Sequence, residues 1–177
     1  MIDQSNARYA RPARHDCRDL LPTERSICGR HDLVASIELR RAVIADIPAI
    51  EELYYPYSHR HINVPRVSDA LVNYPSVTAW NDQKLVGFLY CFRFSPDILE
   101  LANIYIDQQT RHAGLGSKMI TFLRSHLSEQ IKAIIAVNSD LHPVTDLKRR
   151  PDSFYFKNGF RLLASTNNSV VYWWERG

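Results

Sequence analysis

Apolar residues recur along the chain with two spacings, and their order predicts one sheet with helices between its strands. Alternation over 36–43 predicts a first strand. A helical period follows, with Asp46 at its cap and Pro48 in its first turn, and residues 67–73 predict a second short helix. The other predicted strands are 77–80, 85–94, 98–107, 131–139 and a last antiparallel pair around Asn167-Asn168. The other predicted helices run from Gly116 to about Leu127 and over "DSFYFKNGF", where Gly159 is expected as a left-handed cap. The whole pattern is typical of a single mixed α/β sheet.

The first 36 residues show no sustained period and are predicted to form an irregular or loosely packed N-terminal extension. A single domain of residues 37–177 is expected to follow. The extension contains four residues that could serve as zinc ligands, namely His15, Cys17, Cys28 and His31. Their spacing matches no common zinc finger, so no metal site is expected.

Composition narrows the class of protein only slightly. The chain has 177 residues, of which 45% are hydrophobic and 23% charged, and its formal net charge is +3. These values are typical of one globular domain, and the charge is too small to indicate a dedicated nucleic-acid binder. Three cysteines without framework spacing favour a reducing compartment. Neither a membrane span nor a secretory signal is expected, so we expect a cytoplasmic protein.

A glycine turn, "RHAGLGSK", connects the strand predicted over 98–107 to the next helix. A strand that feeds a turn opening a helix gathers free backbone N–H groups around one point, where the helix dipole adds positive charge. Gly114 and Gly116 are expected to let an anion approach the backbone, because a Cβ at either position would hold it away. Arg111 adds a charge and several donors. The alternative is that the two glycines only shape a tight turn.

Two motifs together resemble those of the GNAT superfamily of N-acyltransferases. The pattern Arg111-x-x-Gly114-x-Gly116 is similar to that family's motif A, and "SFYFKNGF" is similar to its second signature, Phe-Tyr-x-x-x-Gly-Phe. The motif style is closest to phosphinothricin-type small-amine acetyltransferases, and the resemblance covers about 37–175. It implies a GNAT-like domain with a central, mostly antiparallel sheet that splays at two parallel strands.

The same resemblance implies acetyl-CoA as co-substrate, lying in the gap between the splayed strands. The backbone of Ile104, Tyr105 and Ile106 would bind its pantetheine amides. The pyrophosphate would be bound by the turn, which comprises Arg111, His112, Ala113, Gly114, Leu115, Gly116 and Ser117. The chain departs from the family where an asparagine and an alanine usually precede Phe-Tyr, since Lys148 and Pro151 stand there. Either Asn138 replaces that missing amide, or the contact is lost.

Two residues are predicted to move protons in catalysis. Tyr155 occupies the family's tyrosine position and is the candidate acid, although a core tyrosine is the plain alternative. Glu100 is the candidate base because a carboxylate within an apolar strand is costly unless it is paired or its pKa is raised, and a raised pKa is what a general base needs. Side chains alternate between the two faces of a strand, so Glu100 would lie on the same side as Ala102, Ile104 and Ile106. A solvent-exposed glutamate is the alternative, and the rival bases are His59, His61 and His142.

Together these features favour an enzyme that transfers an acetyl group from acetyl-CoA to a primary amine by direct attack in a ternary complex. A small-molecule acceptor is favoured over a protein N-terminus or a lysine. The alternative is a non-catalytic acyl-CoA-binding module that acts as a sensor or interaction domain. Neither a membrane nor a nucleic acid is an expected partner, and a homodimer remains open.

Overall fold

The computed structural model describes residues 37–111, 113–139, 151–166 and 169–177, all within one compact unit of residues 33–177. The predicted N-terminal extension, His112, His142 and Lys148 lie outside the described residues. The strands are β1 (Ile37–Arg41), β2 (Val77–Asn81), β3 (Lys84–Arg93), β4 (Ile98–Ile106), β5 (Ala133–Ser139), β6 (Arg161–Ser165) and β7 (Ser169–Glu175). The helices are α1 (Ile47–Ser58), α2 (Val64–Asn73), α3 (Leu115–Ser125) and α4 (Asp152–Lys157), with short 3-10 turns at Ile44–Asp46 and Gln108–Thr110.

The described strands form one seven-stranded sheet in the order β1-β2-β3-β4-β5-β7-β6. Within it, β4 and β5 are parallel, and the other neighbouring strands pair antiparallel. The long crossover through α3 is what allows β4 and β5 to run in the same direction. The predicted fold class, a mixed and mostly antiparallel sheet with two central parallel strands, is confirmed.

Helices cover the two faces of the sheet with separate apolar cores. On one face α3 and α4 pack over a cluster that includes Leu99, Leu101, Met119, Tyr155 and Tyr172. On the other face α1 and α2 pack over a cluster that includes Ile50, Val67, Phe88, Tyr90 and Tyr105. We call these the α3 face and the α1 face. Each strand therefore alternates between two buried environments where helices cover both sides.

Several local details differ from the sequence-based expectations. Asp46 precedes α1 as predicted, but its carboxylate pairs with the Arg40 guanidinium at 2.6 Å and accepts the Val43 N–H at 2.9 Å, so it does not cap α1. Helix α2 begins earlier than predicted because Asn63 Oδ1 accepts the Arg66 N–H at 3.1 Å. Gly159 has φ +73°, which confirms the predicted left-handed cap. None of the described helices is long and apolar enough to cross a membrane.

Candidate active site

The two parallel strands separate halfway along their length. Their pairing runs from Ile98 opposite Ala133 to Leu101 opposite Ala136 and then stops. Beyond that point β5 continues against β7, while β4 continues against β3. The edge of β4 that faces β5 therefore has unpaired backbone groups from Ala102 to Ile106. The predicted splay is present, and it leaves main-chain donors and acceptors available to a ligand.

A β-bulge in β4 coincides with this separation. Tyr90 of β3 lies opposite Asn103, whereas the next residue, Cys91, lies opposite Leu101. Ala102 is thus the extra residue, without a cross-strand partner. A bulge bends its strand and increases the local twist, which explains why β4 leaves β5 at this residue.

The bulge also overturns one sequence-based expectation. Unbroken alternation would put Glu100 on the same side as Ile104 and Ile106, but those two isoleucines pack in the α3-face core. Glu100 lies opposite Phe92, a residue of the α1-face cluster, and directly paired residues share a face. Glu100 and Ala102 are therefore on the α1 face, and the prediction that grouped them with the isoleucines is wrong. The extra residue reverses the alternation that follows it.

The start of α3 has the geometry expected of an anion site. Gly114 is its N-cap residue with φ +77° and no side chain to bond the first turn. The N–H groups of Leu115, Gly116 and Ser117 have no carbonyl partners within the helix, because an α-helix leaves its first donors unpaired. A Cβ built on Gly114 meets nothing within 4 Å, so the space above the turn is open.

Gly116 has a different role from the one expected. A Cβ built there lies 2.8 Å from Cε2 of Phe154 and 3.1 Å from Cδ1 of Ile106. The position therefore faces α4 and β4 rather than an open anion seat. The expectation that a side chain at Gly116 would only block a ligand is wrong, because it would first collide with the packing between α3 and α4.

We therefore predict that Gly116→Val lowers the free energy of unfolding by about 1–3 kcal/mol, the usual cost of overpacking. Urea denaturation measures this directly. Adding Phe154→Leu should return part of the lost stability, because it removes the aromatic atoms that the new Cβ would meet. Unchanged stability of Gly116→Val would refute this packing role of the glycine.

The Arg111 side chain folds back onto β4 rather than over the helix start. Its Nε donates to the Ile106 carbonyl oxygen at 2.9 Å. Its guanidinium carbon lies 5.6 Å from the Tyr57 ring centroid and 5.4 Å from that of Tyr105. Arg111 is exposed, so the guanidinium can rotate toward the turn at the cost of one hydrogen bond and two cation–π contacts.

Tyr155 lies at the centre of an aromatic stack on the α3 face. Its ring is stacked on Tyr172 with centroids 4.1 Å apart and meets Phe154 and Phe160 edge-on. Burial raises the pKa of Tyr155 to about 12. The phenol therefore keeps its proton at neutral pH and well above it.

Polar residues around the splay lie on the same face as Tyr155. Asn138 is paired with Val170, a residue of the α3-face core, so its side chain projects toward this face. The side-chain amide of the buried Asn158 donates to Ser117 Oγ at 3.1 Å, and the main-chain carbonyl oxygen of the same residue accepts from Arg124 at 2.5 Å. These bonds connect the first turn of α3 to the end of α4.

A polar group on the α1 face was not found from the sequence. Asn103 Nδ2 lies 3.5 Å from the Tyr90 hydroxyl, and the Arg66 guanidinium carbon lies 4.2 Å above the Phe92 ring centroid. Phe92 is the cross-strand neighbour of Glu100. These residues come from α2, β3 and β4, so spacing along the chain contains no signal of their proximity.

Two of the three rival histidines form no hydrogen bond to this group among the described residues. His59 ends α1 with φ +53°, and the exposed His61 bonds Glu51 through Nδ1. The residues that the structure describes contain no set of three or more His, Cys, Asp or Glu side chains that could hold a metal ion. Glu100 lies on β4 one residue before the last pair of the parallel ladder, where β4 and β5 separate.

Comparisons with known proteins agree with this geometry. A family model described as an acetyltransferase (GNAT) domain matches residues 73–162, just over half of the chain. The chain therefore belongs to the GNAT acetyltransferase family and is an acyltransferase by that membership. The comparison with curated protein sequences gives no match.

Solved structures share the fold at low sequence identity. The PaiA N-acetyltransferase of Thermoplasma acidophilum, solved with coenzyme A, is 17% identical with a TM-score of 0.60, and the match covers 80% of this chain and 99% of that one. YncA of Salmonella typhimurium, solved with acetyl-CoA, is 14% identical with a TM-score of 0.62, over 79% and 94% of the two chains. The diaminobutyrate acetyltransferase EctA of Paenibacillus lautus is 15% identical with a TM-score of 0.57, over 77% and 93%. The predicted use of acetyl-CoA as co-substrate agrees with the family and with the ligands in these structures.

Proposed function

We propose that the protein is an N-acetyltransferase that transfers the acetyl group of acetyl-CoA directly to a primary amine in a ternary complex. The observation that carries this proposal is the separation of β4 from β5 at Ala102, which leaves an unpaired strand edge leading to the N-terminus of α3. An extended arm with amides at one end and a diphosphate at the other suits that edge and that helix start.

The backbone supplies the binding of the co-substrate. The free edge from Ile104 to Ile106 would hold the pantetheine amides, and the N–H groups from Ala113 to Ser117 would hold the pyrophosphate. Asn138, on the β5 side of the splay, is suited to bond the same arm. Acetyl-CoA supplies a thioester carbonyl carbon for attack and a thiolate that departs; the protein supplies the orientation and the proton transfers.

Glu100 and Tyr155 lie on opposite faces of the sheet, close to where the ladder opens. An amine of pKa near 10 arrives largely as ammonium and must lose a proton before it can attack. Glu100 would accept this proton from the ammonium and then release it to solvent, and the nitrogen would lose its second proton to solvent as the new N–C bond forms and the C–S bond breaks. Tyr155 would donate its proton to the departing sulfur and recover one from solvent, so the products are the amide and the free thiol.

Cys91 is poorly suited to a covalent alternative. It is fully buried, and burial together with the Glu100 charge raises the pKa of its thiol well above the usual range. A protonated, inaccessible thiol is not a nucleophile. Direct transfer without an acyl-enzyme is therefore the better reading, and we place the reaction in the cytosol, where free thiols persist.

The first test is calorimetric titration of the full chain with acetyl-CoA, followed by an amine panel scored by release of free thiol. Saturable binding together with amine-dependent thiol release is the expected result. Binding without release for any amine would favour a non-catalytic acyl-CoA-binding module instead. Absence of binding would refute the proposed site.

The turn can be tested separately with Gly114→Asn. Asparagine tolerates the left-handed conformation of Gly114, so the fold should be retained, while its side chain would enter the open space above the helix start. We expect at least a tenfold loss of acetyl-CoA affinity, with at most ~1 kcal/mol lost from the free energy of unfolding. Calorimetry and urea denaturation give the two values. Wild-type affinity in this variant would rule out an anion seat at the turn.

A further inference from the structure

Arg66 has no ionic partner among the described residues, and it packs on Phe92, the cross-strand neighbour of the candidate base. It is the third residue of α2 and is exposed, and its guanidinium rests on the Phe92 ring at 4.2 Å. The ion pairs formed within the described chain involve other cations. An arginine held against an aromatic face keeps its N–H donors directed outward and loses little freedom on binding a planar anion.

Glu100 is a second charged neighbour of Phe92. It is directly opposite Phe92 in the β3–β4 ladder, so the two Cβ atoms are about 5 Å apart on the α1 face. A residue with a negative charge and one with a positive charge are thus both neighbours of one apolar ring. Neither is neutralised by the other, since no salt bridge joins them.

The neighbouring tyrosine is influenced by the same charge. Burial raises the pKa of Tyr90, while a hydrogen bond from Asn103 and the positive charge of Arg66 act to lower it. Arg66 packs on the Phe92 ring, so the guanidinium and Tyr90 are both neighbours of that ring. Tyr90 and Phe92 also contact each other, with ring centroids 5.6 Å apart.

We propose that Arg66 binds a carboxylate of the acceptor, and hence that the acceptor is a small amino acid. This inference rests on the proposed N-acetyltransferase function and specifies its substrate class. The ammonium group of a zwitterion would be attracted to Glu100 while its carboxylate bonds Arg66, with the carbon between them lying over Phe92. A protein N-terminus or a lysine side chain within a protein has no carboxylate at this distance, so it would leave Arg66 unpaired.

The experiment compares each amino acid with its own carboxamide as acceptor, using the full chain and free-thiol release. The two members of a pair have nearly the same shape and differ in the negative charge, which also raises the pKa of the amine in the acid, so kcat/KM is calculated per free amine. For the best acceptor, kcat/KM should be about 10- to 100-fold higher for the acid than for the amide, the range of a charge-assisted hydrogen bond. In Arg66→Gln this ratio should fall to near one, with the amide used as well as before.

Two further variants separate recognition from folding. Arg66→Lys keeps the charge but loses the planar pair of donors, so an intermediate ratio is expected. Arg93→Gln removes an exposed arginine one residue after Phe92 and should leave the ratio unchanged. Acetyl-CoA affinity measured by calorimetry should be the same in all of them.

The outcomes distinguish this inference from the function on which it rests. Equal use of acids and amides by the wild type, or an undiminished ratio in Arg66→Gln, would overturn the amino-acid proposal and leave an N-acetyltransferase with another acceptor. Release of thiol with no amine of either kind would overturn the proposed function and this inference with it.

Discussion

Replacing Glu100 with glutamine is expected to lower kcat/KM for the amine by about 10²- to 10⁴-fold at pH 7, the usual contribution of a general base. Glutamine has nearly the same shape as glutamate but cannot accept the proton. Glu100 is only half-buried and lies opposite Ile135, one residue before the last pair of the parallel ladder. The fold should therefore tolerate the change. Steady-state thiol release over a range of amine concentrations measures the effect.

The pH dependence of this variant provides a second criterion. Raising the pH converts more ammonium to free amine in solution, which partly replaces the missing base. The deficit of Glu100→Gln relative to the wild type should therefore shrink by several-fold between pH 7 and 9.5. Glu129→Gln, at an exposed turn, is the matched control and should behave as the wild type. A loss of acetyl-CoA affinity alongside the loss of rate would show instead that Glu100 supports the fold of the site.

Tyr155→Phe is expected to lower kcat by about 10²-fold without changing acetyl-CoA affinity. Phenylalanine preserves the stacking on Tyr172 and removes only the hydroxyl, which has no hydrogen bond to another described residue. The thiol has a pKa of ~8.5, so its thiolate can leave unprotonated in water. In a buried site without a proton donor, we expect the thiolate to leave more slowly. A rate equal to that of the wild type would mean that Tyr155 is only part of the core.

The raised pKa of Tyr155 makes a separate prediction about stability. A pKa of about 12 in the folded state, against ~10 in an unfolded chain, means that folding favours the neutral phenol. This contribution is complete below pH 10 and is lost as the pH rises toward 12, with about 1 kcal/mol gone by pH 11. Other buried tyrosines contribute to the total, so urea denaturation at pH 8 and pH 11 should show a loss that is larger in the wild type than in Tyr155→Phe by about 1 kcal/mol. An identical loss in both proteins would mean that groups other than Tyr155 cause the decrease in the free energy of unfolding.

The sequence predicts most of the fold because its signals are local. The spacing of apolar residues, the helix caps and the turn residues indicated each strand and the helices to within a few residues. The two glycine motifs indicated the family. Gly159 illustrates this success, since a glycine after a short apolar helix needs only its own neighbours to be recognised. Helix α2 was predicted three residues short because Asn63 and Pro65 were not recognised as its start.

The site was less predictable because its geometry depends on distant pairing. Ala102 has no feature that marks a bulge; only the register with β3 shows that it is the extra residue. The two turn glycines look equivalent in the sequence, yet one faces open space and the other faces Phe154. Arg66 and Glu100 are 34 positions apart, and the packing of α2 on β3 is what brings the arginine beside Phe92.

The bulge at Ala102 also has a genetic consequence. Loss of that one codon would let β3 and β4 pair without interruption, while the residues from Asn103 to Ile106 would keep their partners on β3 and their faces. The strand would instead lose the bend that separates it from β5, and with it the free edge of β4. A substitution such as Ala102→Ser keeps the residue count and should be well tolerated. Insertions and deletions, rather than substitutions, are therefore the changes most able to inactivate this stretch of the gene.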